Sequence, residues 1–380
     1  MAQGAVLPVE TMKGTVTGRS LWAEARGRLV RNRAALTSII VLALIAIACI
    51  FGPYVTGHPF DRVYTDYVKV PASLEAYPKA DQIEPNIARI GSRVRAKPES
   101  IAIDGDVAHV TLVSSSSRPI DERLLAYFER SDLFGPAQVV ERQDEGRRLL
   151  VDVPIRRQYF FFGTDTNGRD LLTRTMKAGQ ISLAIGLLAT FVAILIGVIY
   201  GATSGYLGGR VDLVMMRIVD ILYSLPFIFF VIMLVVFFGR NFVLMFIAVG
   251  AVEWLDMARI VRGQTLSIKR QEYVQAAEAL GVETRGIIRR HVIPNALGPV
   301  VVYMTLLVPK VILLESFLSF LGLGVQEPNT SLGVLISEGA KNIQGATWML
   351  IYPSITLVAI LFCLNFIGDG LRDALDPKDR

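Results

Sequence analysis

Six apolar runs constrain this chain more than any other feature: Ala34–Phe51, Ser182–Tyr200, Val214–Phe238, Asn241–Val261, Ala296–Phe320 and Trp348–Ile367. Each is close to the length a helix needs to cross a hydrocarbon layer about 30 Å thick. Lipid offers no partner for backbone N–H and C=O groups, so such runs fold as helices that bond internally. The composition is 52% hydrophobic and 19% charged, with a mean hydropathy of +0.46. That balance points to a polytopic membrane protein rather than a soluble domain.

Charge sets the expected orientation. Residues 1–33 form a polar segment with Arg26, Arg28, Arg31 and Arg33 close to the first run, which puts the N-terminus in the cytoplasm by the positive-inside rule. The first run, assigned to residues 34–53, reads as an uncleaved helix. It is long, and Phe51-Gly52-Pro53-Tyr54 follows it in place of a small-residue cleavage pattern. Residues 54–158 are hydrophilic and read as an insertion on the outer side. Its first half looks irregular, and its second half looks like short strands at Val107–Val113, Ala137–Glu141 and Arg148–Val153 with a helix at Pro119–Arg130. We expect a small folded outer domain that contacts a partner. Residues 159–380 carry the remaining five spans, which returns the C-terminus to the cytoplasm.

Within that core, Leu171–Gly179 reads as a short interfacial helix preceding the second span. Gly197, Gly201 and Gly205 recur every four residues. This spacing permits close helix packing, or the later glycines form the turn. Pro226 should kink the third span. Glu253 and Asp256 fall in the fourth span, and Lys310 and Glu315 stand close together in the fifth. Ionisable groups at membrane depth are either functional or bonded within the bundle, and both readings stay open for this pair.

The polar stretch of residues 262–295 separates the fourth and fifth spans. Tyr273, Ala276, Ala277 and Leu280 follow the i, i+3, i+4, i+7 spacing of one helical face, whose centre is two alanines. Glu272 and Gln275 lie on the same short helix. Gly281 stands where a C-terminal glycine cap belongs. A second short helical pattern follows, and Pro294 should end it. Pattern alone leaves two readings: a helix lying on the membrane surface, or a small-residue helix that enters a groove on another protein.

Several function classes are excluded or weakened. No GxxxxGK[ST] phosphate loop exists, so this chain carries no P-loop ATPase site of its own. Cys49 and Cys363 both lie in apolar runs, and His58, His109 and His291 are widely separated. Neither set forms a recognisable metal or disulfide framework. A net charge of +5 is modest and does not point to nucleic acid. An intramembrane enzyme would need a catalytic motif that is not seen. An ion-coupled carrier would need clustered buried ligands, and Asp220, Glu253 and Glu315 look scattered. The reading favoured over it is a pathway driven by a separate motor, with an ion-coupled carrier kept as the alternative.

At Gln275-Ala276-Ala277, Gly281 and Ile293-Pro294 the sequence resembles the EAA loop of binding-protein-dependent ABC importer permeases. Gln275 stands where glutamate is usual and His291 where an apolar residue is usual. The segment Gly163-Thr164-Asp165 with Gly168-Arg169-Asp170 is similar to the outer-face signature of the dipeptide/oligopeptide/nickel branch. So are Leu318–Gly324, Gly368–Pro377 and the basic residues before the first run. Leu332 stands near a position where that branch often has tryptophan. The resemblance implies a second, C-type permease with six transmembrane helices in the type I importer fold, an all-α membrane core with a small α/β insertion. It further implies a paralogous permease, two ABC ATPase subunits that bind ATP and magnesium, and a periplasmic substrate-binding protein. The chain would sit in a bacterial inner membrane, with no cofactor of its own and residues 262–295 as the ATPase-coupling loop.

Overall fold

A computed structural model describes residues 21–238 and 242–375. The first twenty residues of the N-terminal segment, Asn241 at the start of the fourth run, and Asp376 and Pro377 of the C-terminal motif lie outside them.

The chain begins with α1 (Leu21–Arg31) and α2 (Arg33–Val55), joined at Asn32, whose side chain accepts the Ala35 N–H at 3.2 Å. The insertion then builds one domain. Helix α3 (Ala80–Arg93) precedes strands β1 (Ala96–Asp104) and β2 (Val107–Ser114). A 3₁₀ turn at Glu122–Leu125 and α4 (Ala126–Glu129) lead to β3 (Gln138–Gln143) and β4 (Arg148–Pro154). The sheet order is β1-β2-β4-β3, antiparallel throughout. Ala108, Val110 and Leu112 of β2 and Leu149, Val151 and Val153 of β4 alternate inward. They form one core with Ile83, Ile87 and Ile90 of α3.

This domain is more regular than the sequence suggests. The half expected to be irregular contains α3 and β1. Pro85 stands inside α3, and Pro98 sits at a register shift in edge strand β1, where a missing N–H is tolerated.

Helix α5 (Leu171–Leu207) is continuous. The separate interfacial helix expected at Leu171–Gly179 is instead its first turns. Asp170 caps it, accepting the Thr173 N–H at 2.8 Å. Gly179 serves helix crossing: a Cβ there would lie 2.6 Å from the Cys49 sulfur of α2. At about 1.5 Å per residue, α5 is roughly 55 Å long.

The third run is split. Helix α6 (Gly209–Ser224) ends before Leu225-Pro226, and α7 (Phe227–Phe238) starts after it. Proline removes the N–H that would continue the ladder. Helix α8 (Phe242–Ile268) runs further than its apolar stretch, so the loop expected to begin at residue 262 starts after Ile268. Next come α9 (Glu272–Ala279) and α10 (Thr284–Ile287), then a π turn at Ile288–Val292 and α11 (Ile293–Phe320). Pro294 therefore opens α11 rather than closing the helix before it. The helical backbone nonetheless runs on from Thr284 to Phe320, and the π turn at Ile288–Val292 interrupts the regular ladder just before the proline. Helix α12 (Leu332–Lys341) occupies what reads as a loop, capped by Ser331, and α13 (Trp348–Leu375) closes the described chain.

Among the described residues, four helical stretches are long and apolar enough to cross a membrane by length and composition: Arg33–Val55, Leu171–Leu207, Thr284–Phe320 and Trp348–Leu375.

The spacing of Gly197, Gly201 and Gly205 serves packing rather than a turn. A Cβ on Gly197 would meet the Met257 Cβ at 2.6 Å, and one on Gly205 would meet the Arg262 carbonyl oxygen at 2.9 Å. One on Gly201 would collide with the Ala258 carbonyl. The seam brings α5 and α8 together backbone to backbone.

Candidate functional site

Helix α9 is anchored on one side and free on the other. Val274 and Ala277 are buried in the same apolar core as Ala202, Tyr206 and Val261 of α5 and α8, and Ile287 and Val292 join them. Glu272, Tyr273, Gln275, Ala276 and Leu280 are exposed, Leu280 to 84%. The face expected from spacing is thus divided: Ala277 turns inward, while Tyr273, Ala276 and Leu280 turn outward. Val274 is the anchor that pattern reading missed. Gly281 has φ +78° and its N–H bonds the Glu278 carbonyl at 3.0 Å, as a left-handed cap requires. Pro294 lies outside this free face. The His291 ring lies 6.3 Å from that of Tyr273. Lys269 fixes the base of the loop, donating to the Tyr206 carbonyl at 2.6 Å.

The charged residues of the spans make up the second group. Lys310 Nζ lies 2.8 Å from Glu253 Oε2 and 3.0 Å from Asp256 Oδ2. The pairing of Lys310 with Glu315 suggested by sequence does not form. Five residues along a helix rotate a side chain by about 140°. Glu315 instead faces the bundle interior, fully buried. It accepts from the Ser182 hydroxyl at 3.2 Å and the Ser319 hydroxyl at 2.7 Å. The Leu332 N–H then bonds Ser182 Oγ at 3.2 Å, so this knot ties α5, α11 and α12. Two ion pairs escaped the sequence reading: Asp212 with Arg262 at 2.6 Å and Asp220 with Arg259 at 2.9 Å. Both join α6 to α8 across long sequence separations, which no local pattern reports.

The third group is the motif before α5. Gly163 and Gly168 have φ +76° and +79°, which glycine adopts without a Cβ penalty. Thr164 bonds the insertion's first loop: its N–H donates to the Val70 carbonyl at 2.9 Å, and its side chain receives the Val70 N–H at 2.8 Å. The Trp348 indole N–H donates to the Thr164 carbonyl at 3.2 Å. Asp165 accepts from the Asn167 and Arg169 N–H groups and from the Arg169 and Arg174 side chains. Arg169 reaches Glu327 at 2.8 Å, and Arg174 reaches Glu338 at 3.5 Å. Burial pushes the Glu338 carboxyl above the usual range, and the Arg174 charge partly opposes that. Gly163, Thr164, Asp165, Gly168, Arg169 and Asp170 therefore form a junction that binds the insertion, α5, α12 and α13. Arg174, Glu327 and Glu338 belong to it and were not singled out by sequence.

Comparison with known proteins decides the family. Residues 170–380 match the profile of the binding-protein-dependent transport system inner membrane component. The chain belongs to this family. Residues 20–72 match the N-terminal transmembrane domain of oligopeptide transport permease C. The oligopeptide transport system permease protein OppC of Escherichia coli strain K12 is 45% identical over 365 residues, covering 96% of this chain and 94% of that protein. The OppC of Haemophilus influenzae is 57% identical over 238 residues, covering 63% of this chain and 76% of that protein. The dipeptide transport system permease protein DppC of Bacillus subtilis is 48% identical over 221 residues, covering 58% of this chain and 69% of that protein. The alignment with the Escherichia coli relative spans nearly both chains, so the insertion is within its reach. This C-type permease is a multi-pass inner-membrane component of an ABC importer and not an ATPase or another enzyme.

Proposed function

We propose that this permease forms, with a paralogous permease, the membrane pathway through which peptides or similar small solutes enter after delivery by a periplasmic binding protein. Two ABC ATPase subunits, which bind the ATP and magnesium, drive it from the cytoplasm. Six crossings fit the chain when the α6–α7 unit and α8 are counted with the four long apolar stretches. Basic residues before α2 and around α9 favour a cytoplasmic placement of both termini and of the α9 loop. The insertion and the junction at Gly163–Asp170 then lie on the periplasmic side.

The single observation that carries the mechanism is the two-sided α9. Its inner face belongs to the core of α5 and α8, and its outer face presents Tyr273, Ala276 and Leu280 to a partner. Small exposed side chains let a groove close around the helix. A displacement imposed on α9 is passed to α5 and α8 because packed interiors move as units. Nucleotide-driven closure of the ATPases would thereby switch the pathway between inward-open and outward-open states.

Leu280→Asp tests this. The side chain is already exposed, so folding and membrane insertion should persist. Co-purification of the ATPase subunits and peptide uptake should each fall roughly tenfold, the size expected when an apolar anchor is replaced by a charge at a docking site. Undiminished uptake would sink the coupling role.

A further inference from the structure

The break between α6 and α7 opens on a cavity of about 430 Å³. Tyr223 and Ser224 at the end of α6, Pro226 at the break, and Glu253, Asp256 and Lys310 from α8 and α11 line it. Three observations bear on what it takes. First, the Lys310 side chain is half exposed although it lies midway along a membrane-length helix. Hydrocarbon does not accommodate such a group, so this face meets water or protein. Second, two carboxylates and one ammonium leave the cluster with one net negative charge. The neighbouring charged pair adds none, because Arg259 is neutralised by Asp220 at 2.9 Å. A net charge in a partly enclosed cavity is stabilised by an arriving counter-ion. Third, both ends of the break border the cavity, the C-terminus of α6 and the N-terminus of α7, so their opposed dipoles offset each other and the side chains set its charge. Broken helices that present their ends to a cavity at membrane depth are a recurring way to receive charged substrate groups.

We propose that this cavity receives the ammonium group of a peptide in transit, its amino terminus or a lysine side chain, on Glu253 and Asp256. Lys310 bridges the two carboxylates when the cavity is empty and shares them when it is filled. The inference rests on the peptide reading above, and it deepens that reading by giving the pathway a cation-selective station.

The test uses the assembled transporter with its binding protein in proteoliposomes. Ser224→Cys is introduced in a background where Cys49 and Cys363 are replaced by alanine. A cationic methanethiosulfonate should label the introduced thiol at least about tenfold faster than an anionic one, as one net charge at short range requires. Glu253→Gln with Asp256→Asn should bring the two rates together. Trialanine and trilysine should protect the thiol from the cationic reagent. In parallel, Asp256→Asn alone, at the more exposed carboxylate, should lower uptake of trilysine relative to trialanine by roughly fivefold with the same binding protein. Equal labelling rates in the unaltered cavity, lack of protection by either peptide, or an unchanged uptake ratio would each overturn the proposal. Labelling by charged reagents requires no transport. A complex that takes up no peptide but still prefers the cationic reagent would therefore refute the peptide reading while leaving the cation preference standing.

Discussion

Asp165 shows how much one side chain can hold. Its two carboxylate oxygens accept from two backbone N–H groups and two arginines, and Asp165 and both arginines are buried. Removing one member of a buried ion network strands the others, which typically costs about 3–5 kcal/mol. Asp165→Ala should lower the stability of the purified permease by that order in thermal unfolding, even though Asp165 touches no pathway cavity. A neutral result would mean that Arg169 and Arg174 find water or other acceptors. The motif was legible as a turn rich in Gly, Asp and Asn, but its role was not. Asp165 and Arg174 are close in sequence, yet Glu327 and Glu338 come from far along the chain, and no local pattern selects them. The same limit explains the misassigned Lys310. Its neighbour in sequence is Glu315, but helix geometry turns the two apart, and its partners come from α8.

Among the elements, the α5–α8 seam depends on absent side chains. Gly201→Val would drive a branched side chain into the Ala258 carbonyl. Overpacking of this kind costs about 1–3 kcal/mol. The expected outcome is lower yield of folded permease and slower uptake, whereas Gly263→Ala, where a Cβ meets nothing within 4 Å, should behave as wild type. Equal behaviour of the two variants would show that the seam is not tight in the membrane. Element identity was largely readable, because apolar runs and glycine spacing are local. Element ends were not. Proline closes a helix in one context and opens it in another, which misplaced Pro294. Pro85 and Pro98 likewise masked α3 and β1, although Ile83, Ile87 and Ile90 already carried the helical spacing.

At the scale of the whole molecule, the insertion's first loop has two attachments: Val70 bonds Thr164 of the junction, and Asp66 ties the loop back to the insertion's own α3 and to the turn after α4. Asp66 accepts from Arg89 at 2.7 Å, from the Ser131 hydroxyl at 2.7 Å and from the Asp132 N–H at 3.0 Å. Burial pushes its carboxyl upward, but the bonds from Arg89, Ser131 and Asp132 outweigh that and hold it below the usual range. A carboxyl depressed in the folded state adds stability above its unfolded pKa and loses it as pH falls through the folded one. Amide protection in residues 64–67 and 129–133 should therefore be constant near neutrality and decline below about pH 4. Asp66→Asn should lower protection at pH 7 and flatten that decline. A decline as steep in the variant would assign acid sensitivity to another group. Helix α5 joins this domain to the far end of the bundle without a break. Its first turn is locked into the Asp165 junction, and its last turns carry Gly205 and Tyr206 beside the base of α9. In the coupling proposed for α9, a fluorophore on the insertion's sheet would be mounted on the same rod that the ATPases push. In the proposed orientation it would report their strokes from outside the cell membrane, on intact vesicles, with no label near the proposed pathway.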